Sequence, residues 1–353
     1  MSDELNPQES PQSVLVTGAS TFLGGYLTAR LAADPGVARV IAVDSRVPSK
    51  DMLRRMGRAE FLRLDIRRPA IAKAIANFDV DTVVHAAPSL MDSAGHSAAI
   101  KELNVVGSMQ VCAACQRSPS VKRLVLRSTA MIYGASPADP AAFTEGSAAR
   151  REPKRGYGRD MLDVEGYARG LARRRQDIDV TILRPQAILG PRIRTRMSSY
   201  LSLPLVPVVF GHEPRLQFLH EEDALAALEH ATLRSTGGGT YNLAADGVVT
   251  LTQAVRRAGH VPLPVPTPML APLVAVLQDG RVPTIRSDQG DYLSYGRVLD
   301  TTRMRTELGF EPKYTTLDTV DDFIARGRTE PLIPQSAWRG LERRVVAAAT
   351  AMQ

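Results

Sequence analysis

Lysine is scarce in this chain: of its 44 Lys and Arg residues, all but six are arginine. That skew reads as the codon bias of a GC-rich genome and carries no functional content. Cysteine is scarcer still, with only Cys112 and Cys115 among 353 residues. Two cysteines exclude a disulfide-stapled secreted scaffold and suit a reducing, cytoplasmic setting. Their C-x-x-C spacing alone would fit a redox or metal site. Both fall inside an apolar helical pattern with no histidine or further cysteine close by, so core packing is expected and no metal site. No apolar run approaches the ~18 residues that a membrane span needs. Residues 1–12, MSDELNPQESPQ, lack the apolar stretch of a signal peptide and read as a flexible leader. Acidic residues are outnumbered, giving a net charge of +7 and a pI near 9.6. The basic residues are scattered, except for Arg169 with Arg173, Arg174 and Arg175, which suit the solvated, negative end of a helix. With no nucleic-acid-binding motif beside them, nucleic acid is not an expected partner.

What is present is core material and one organising stretch. Hydrophobic residues make up 44% of the chain, enough for one large domain or two closely joined ones. Residues 13–44, SVLVTGASTFLGGYLTARLAADPGVARVIAVD, begin with an apolar run, Val14 to Val16, that reads as a buried strand. A turn of small residues follows at Thr17 to Thr21, and from Phe22 the apolar positions recur at helical spacing. A second apolar run, Val40 to Val43, ends in the carboxylate of Asp44. Strand, glycine turn, helix, strand and terminal acid in about 30 residues is the layout of a dinucleotide-binding βαβ unit. Gly18 allows a sharp turn, the helix points its positive end at a pyrophosphate, and Gly24 or Gly25 lets helix and strand pack closely. Asp44 can accept hydrogen bonds from a ribose hydroxyl and would repel a 2′-phosphate, so NAD is expected over NADP. Arg46 weighs the other way. The pattern departs from the usual one in having Thr21 where a middle glycine stands.

Beyond Asp44 the rhythm continues. A short helix is expected near Ser49 to Gly57, a strand at Phe61 to Leu64, a helix from Pro69 to Asn77 and a strand at Asp81 to His85. A long helix follows from about Ser97 to Cys115, then a strand at Arg123 to Leu126, a helix from Tyr157 to about Arg175 and a strand at Val180 to Leu183. Alternation of this kind predicts an α/β fold, a doubly wound parallel Rossmann-type sheet with a smaller α/β substrate lobe from the C-terminal half. Ligands in such sheets bind at the carboxyl ends of the strands, where Asp44, Asp65, His85, Thr129 and Pro185 fall. The expected organisation is a nucleotide-binding domain at 13–190, completed by segments around 215–245. The substrate lobe would comprise 191–214 and 246–330, and residues 331–353 a C-terminal appendage.

These motifs together resemble the extended short-chain dehydrogenase/reductase superfamily, in its NAD-dependent epimerase/dehydratase branch and its UDP-glucose 4-epimerase-like subset. The resemblance covers roughly residues 13–326. It is carried by Thr17-Gly18 to Gly24, Asp44, Asp65-Ile66, Val84-His85-Ala86-Ala87, Asn104, Arg184-Pro185, Gly190-Pro191, Phe218-Leu219-His220 to Asp223, and Leu308-Gly309-Phe310-Glu311-Pro312. It implies an NAD cradle formed by Gly18, Ser20, Thr21, Phe22, Leu23, Gly24, Asp44, Ser45, Asp65, Ile66, His85, Ala86, Ala87, Asn104 and Pro185. It also implies a small-molecule substrate and leaves a homodimer open. Thr129, five positions before Gly134, matches the family's substrate-contacting hydroxyl, and Tyr157 its tyrosine, which together contact the substrate oxygen while hydride moves between the adjoining carbon and nicotinamide.

The family's lysine, four residues after the tyrosine, is replaced by Met161. An ammonium ~4 Å from a phenoxide is worth up to ~4 kcal/mol at an effective dielectric near 20. Met161 cannot supply it, and Arg159 points away around the helix. Lysine at 161 would restore a cationic partner. Two readings therefore stand: an oxidoreductase, epimerase or dehydratase acting on a hydroxyl or keto substrate, or a catalytically idle NAD-binding structural or sensing protein. The substrate end departs too. Ala187 stands three residues after Arg184, where the sugar-nucleotide epimerases carry an asparagine. Leu216 stands four before His220, where they carry an arginine, and Arg215 is one step out of phase. Arg192, Arg194 and Arg196 offer a different anion clamp, set among residues that equally suit a larger, more apolar ligand. UDP-glucose is therefore not the expected substrate.

Overall fold

The computed structural model describes residues 11–87, 98–150, 152–235, 237–277 and 287–326; residues 1–10 of the expected leader and the appendage at 331–353 lie outside them. The first half runs β1 (Ser13–Thr17), α1 (Phe22–Ala33), β2 (Arg39–Asp44), α2 (Lys50–Arg55), β3 (Glu60–Arg63), α3 (Ala70–Asn77) and β4 (Thr82–His85). It continues with α4 (Ala98–Arg117), β5 (Arg123–Arg127), α5 (Tyr157–Arg174) and β6 (Asp179–Pro185), with a 3-10 turn at Ala130–Tyr133. Then come β7 (Ala187–Leu189), α6 (Arg196–Leu201), β8 (Leu205–Val209), β9 (Arg215–Leu216), β10 (Phe218–His220) and α7 (Glu221–Leu233). Next are β11 (Gly239–Leu243), β12 (Val249–Thr250), α8 (Leu251–Arg257), β13 (Val261–Val265) and α9 (Thr267–Leu277). The last are α10 (Ser287–Tyr295), β14 (Gly296–Arg297), α11 (Thr302–Thr306) and α12 (Thr316–Arg326).

Seven strands form one parallel sheet in the order β11-β6-β5-β4-β1-β2-β3, the doubly wound arrangement expected from the alternation. Alternate side chains of β1 enter different cores, because successive residues of a strand face opposite ways. Leu15 joins Ile41, Val83 and Leu124 under α3, α4 and α5, whereas Val14 and Val16 join Leu27, Leu31, Leu225 and Leu228 from α1 and α7. A parallel sheet buried on both faces needs such near-continuous apolar strands. Cys112 and Cys115 lie in the first of these cores, and burial pushes the Cys112 thiol up to about 12. They are packing residues at neutral pH.

Strand order reverses between β1 and β4, and the register brings Thr17 level with both Val43 and His85. The carboxyl ends of β1, β4 and β5 therefore open a crevice at one edge. A third apolar core, including Tyr200, Val206, Leu216, Phe218, Val255 and Phe323, joins the short sheets β7–β10, β9–β12–β14 and β8–β13. That lobe stands over the crevice through β7, which leaves β6 after a single residue.

Candidate active site

The glycine turn is fixed by what it leaves no room for. Gly18 has φ +79°, and a Cβ there would lie 2.7 Å from Ala87 Cα. A Cβ on Gly24 would lie 2.2 Å from the Gly18 carbonyl oxygen, so α1 rests directly on the turn. Thr21 accounts for the missing middle glycine: its hydroxyl donates to Gly18 O at 2.7 Å and caps α1 by accepting the Gly24 N–H at 3.2 Å. The N–H groups of Phe22 and Leu23, in the first turn, remain at the open end of the helix. Asp44 closes the frame. Its Oδ2 accepts Ser20 N–H at 2.9 Å and Ser20 Oγ–H at 2.7 Å, and its Oδ1 accepts Arg46 N–H at 2.9 Å. The acid thus ties the turn to the end of β2 and keeps lone pairs for a ribose hydroxyl. A turn that excludes Cβ, an open helix amino end and a held carboxylate together fit a dinucleotide. Ser45 beside it is exposed.

Other residues of the expected cradle lie behind it. His85 is buried, with Nδ1 2.8 Å from Thr17 Oγ1 and Nε2 2.7 Å from Ser108 Oγ. Ser108 gives its own hydrogen to Asn104 O, which assigns the imidazole proton to Nε2, and Thr17 donates to Nδ1. Burial, with the charge of Arg127, pushes the imidazole down to about 3, so it stays neutral. Its ring is a clamp between β1, β4 and α4, unavailable to a cofactor. Asn104 is also buried and donates to Asp160 at 3.2 Å, while Ile66 packs into the core against Gly107. Asp65 is engaged by Arg67, whose guanidinium holds its carboxyl below the usual carboxylate range. Ala87 N–H reaches Thr17 Oγ1 at 3.3 Å.

Thr129, just past the end of β5, and Tyr157 line one cavity. Thr129 caps the 3-10 turn by accepting Met131 N–H at 3.2 Å, which leaves its own hydroxyl hydrogen for another acceptor. Tyr157 opens α5 after Gly156, which turns with φ +81°. Met161, one turn along, is wholly buried among apolar side chains, and Arg159 is spent on Asp163 at 2.9 Å. No motif pointed to the residue beside the tyrosine: Arg127, the last of β5, has Nη1 3.4 Å from Tyr157 Oη and donates from Nη2 to Ala86 O at 3.2 Å. Behind the pair, Ser128 donates to Glu165 at 2.5 Å, and Arg184 clasps the same carboxylate at 2.9 and 2.7 Å while donating to Tyr133 Oη at 2.7 Å.

A cavity of about 570 Å³ joins these parts. Thr21, Phe22 and Leu23 line one end, Thr129, Tyr157 and Pro185 the middle, and Ala187, Arg196 and Arg297 the lobe side. Arg192 lies on the wall too, but Glu221 and Glu222 hold it and it rests over the rings of Phe22 and Tyr26. Leu216 is buried in the lobe core, and Arg215 donates outward to Ala141 O at 3.4 Å. Arg297, on the strand paired with β9, also brings a guanidinium to this wall and donates to Gly134 O at 2.9 Å.

The model of the NAD dependent epimerase/dehydratase family matches residues 14–244. An uncharacterized protein of Mycobacterium tuberculosis is 55% identical over 337 residues, covering 95% of this chain and 89% of that protein. A UDP-glucose 4-epimerase of Mycolicibacterium smegmatis is 25% identical, covering 85% of this chain and 93% of its own. Among solved structures, the UDP-glucuronic acid 4-epimerase of Bacillus cereus, in complex with UDP-glucuronic acid and NAD, superposes with a TM-score of 0.67. It is 18% identical and covers 89% of this chain and 98% of its own, a likeness of fold.

Proposed function

This chain belongs to the NAD dependent epimerase/dehydratase family, and from that premise we propose that it is an NAD-dependent enzyme moving hydride at a carbon that bears a hydroxyl or keto oxygen. The observation that carries the proposal is the shared cavity: Thr129 and Tyr157 line the same space as Thr21, Phe22 and Leu23 of the cofactor turn. Bound NAD supplies the hydride acceptor and donor. The amino end of α1 and the Gly18 turn would hold its pyrophosphate, and Asp44 a ribose. Thr129 offers its hydroxyl hydrogen to the substrate oxygen, and the Tyr157 hydroxyl passes the proton as charge develops there. Ser128, Glu165 and Arg184 keep the end of β5 from moving.

Asp44 makes the cofactor choice testable. Calorimetric titration is expected to give tighter binding of NAD than of NADP, and Asp44→Ala should weaken NAD by about 1–3 kcal/mol through lost hydrogen bonds to a charged group. Tighter NADP binding would contradict the assignment.

For the substrate, the wall supports an anionic compound, sugar-nucleotide-like or more apolar, since Arg196 and Arg297 share it with Met131, Ile188 and Met197. UDP-glucose itself fits poorly. Ala187 has no polar group to offer, and the position four before His220 is the buried Leu216. Calorimetry with UDP and UDP-glucose, beside a direct epimerisation assay, is expected to give neither micromolar affinity nor UDP-galactose. Finding both would overturn this specificity.

A further inference from the structure

We propose that Arg127 is the cationic partner of Tyr157, doing from the end of β5 what the residue four places after the tyrosine does not do in this chain. The proposal rests on the hydride-transfer reading above. Position 161 shares a helix face with Tyr157, but Met161 is wholly buried and turned into the core with Val164 and Ala168. The guanidinium of Arg127 approaches from the end of β5. Its Nη1 stands 3.4 Å from Tyr157 Oη, and its Nη2 is held by Ala86 O at 3.2 Å, at the strand end that flanks the cofactor turn. Two features fix it there. β5 is a central strand paired on both sides, with Arg127 opposite Leu183. The neighbouring Ser128 is locked to Glu165.

A planar guanidinium presents several donors in fixed directions, so one edge can hold a carbonyl while the other faces the phenol. When Tyr157 gives its proton to a substrate oxygen and hydride arrives at the adjoining carbon, the phenoxide left behind meets a positive charge at hydrogen-bond distance. In the reverse direction the substrate hydroxyl gives its proton back to the Tyr157 phenoxide as hydride leaves the adjoining carbon. Arg127 lines the same cavity as Tyr157, and in this proposal it acts through the tyrosine, as a positioning residue.

The test uses the full chain loaded with NAD. With tyrosine labelled at Cζ by carbon-13, the Tyr157 resonance is identified by its loss in Tyr157→Phe. Arg127→Ala is expected to displace that resonance, and Arg127→Lys to displace it less. With a substrate that reduces the bound NAD, Arg127→Ala should lower kcat at least ~10²-fold with KM nearly unchanged. Arg127→Lys, or millimolar guanidinium added to Arg127→Ala, should recover most of the loss. In a Tyr157→Phe background, Arg127→Ala should add almost nothing. If Arg127→Ala does not fold, the same comparisons are made with Arg127→Gln. Wild type that takes up no NAD would refute the parent reading. Wild type that binds NAD, with the Tyr157 resonance and kcat both unmoved in Arg127→Ala, would refute this one.

Discussion

Tyr157→Phe is expected to lower kcat by at least ~10²-fold while leaving NAD affinity and the fold almost untouched. The substitution deletes one oxygen. The ring stays in the core that also holds Ala130 and Ile132 of the 3-10 turn, so the apolar burial that holds α5 is kept. What is lost is the hydroxyl that faces the cavity between Arg127 and Thr129. Thr129 can still donate a hydrogen bond, yet an aliphatic hydroxyl is a far weaker acid than a phenol and cannot replace it as proton donor. KM should change little, because the missing contact strengthens as charge develops on the substrate oxygen. An unchanged rate in Tyr157→Phe would remove the tyrosine from the chemistry.

The largest effect on stability is expected at Glu165, which no solvent reaches. Its carboxylate accepts from Ser128, from two nitrogens of Arg184 and from Arg169. The Arg184 side chain is itself 5% exposed. Glu165→Leu leaves that guanidinium buried with only Tyr133 Oη and Glu145 O to accept from it. Breaking a buried pair by removing one partner costs about 3–5 kcal/mol, chiefly because the surviving charge is uncompensated. The double variant Glu165→Leu with Arg184→Met should therefore lose less than Glu165→Leu alone. Denaturant titration of wild type, Glu165→Leu, Arg184→Met and the double variant decides it. A double variant as unstable as the sum of the two single ones would show that the charge left behind is not the cause.

The parts that were legible in the sequence are those where backbone geometry dictates residue type. Gly18 and Gly24 are forced by approaches under 3 Å, and the apolar runs of β1, β2 and β4 by burial on both faces of the sheet. Strand parity also held at β9, with Leu216 inward and Arg215 outward. The roles that stayed hidden belong to tertiary distances. His85 sits at a strand end, where a ligand contact is the natural expectation. Its clamp depends on Thr17 and Ser108, which come together only in the fold. Arg127 ends an apolar strand, and a charge there reads as a solvated terminus until α5 brings Tyr157 against it. Arg297 lies in a two-residue strand, too short for any periodicity to show.

The most direct test of the account is to load the purified chain with NAD, add a panel of sugar nucleotides and other anionic hydroxy compounds, and follow the near-ultraviolet absorbance of reduced nicotinamide. At least one compound is expected to produce this absorbance with wild type, and Tyr157→Phe, equally loaded with NAD, to abolish it. Silence from wild type across the panel with NAD demonstrably bound, or equal reduction by Tyr157→Phe, would contradict it.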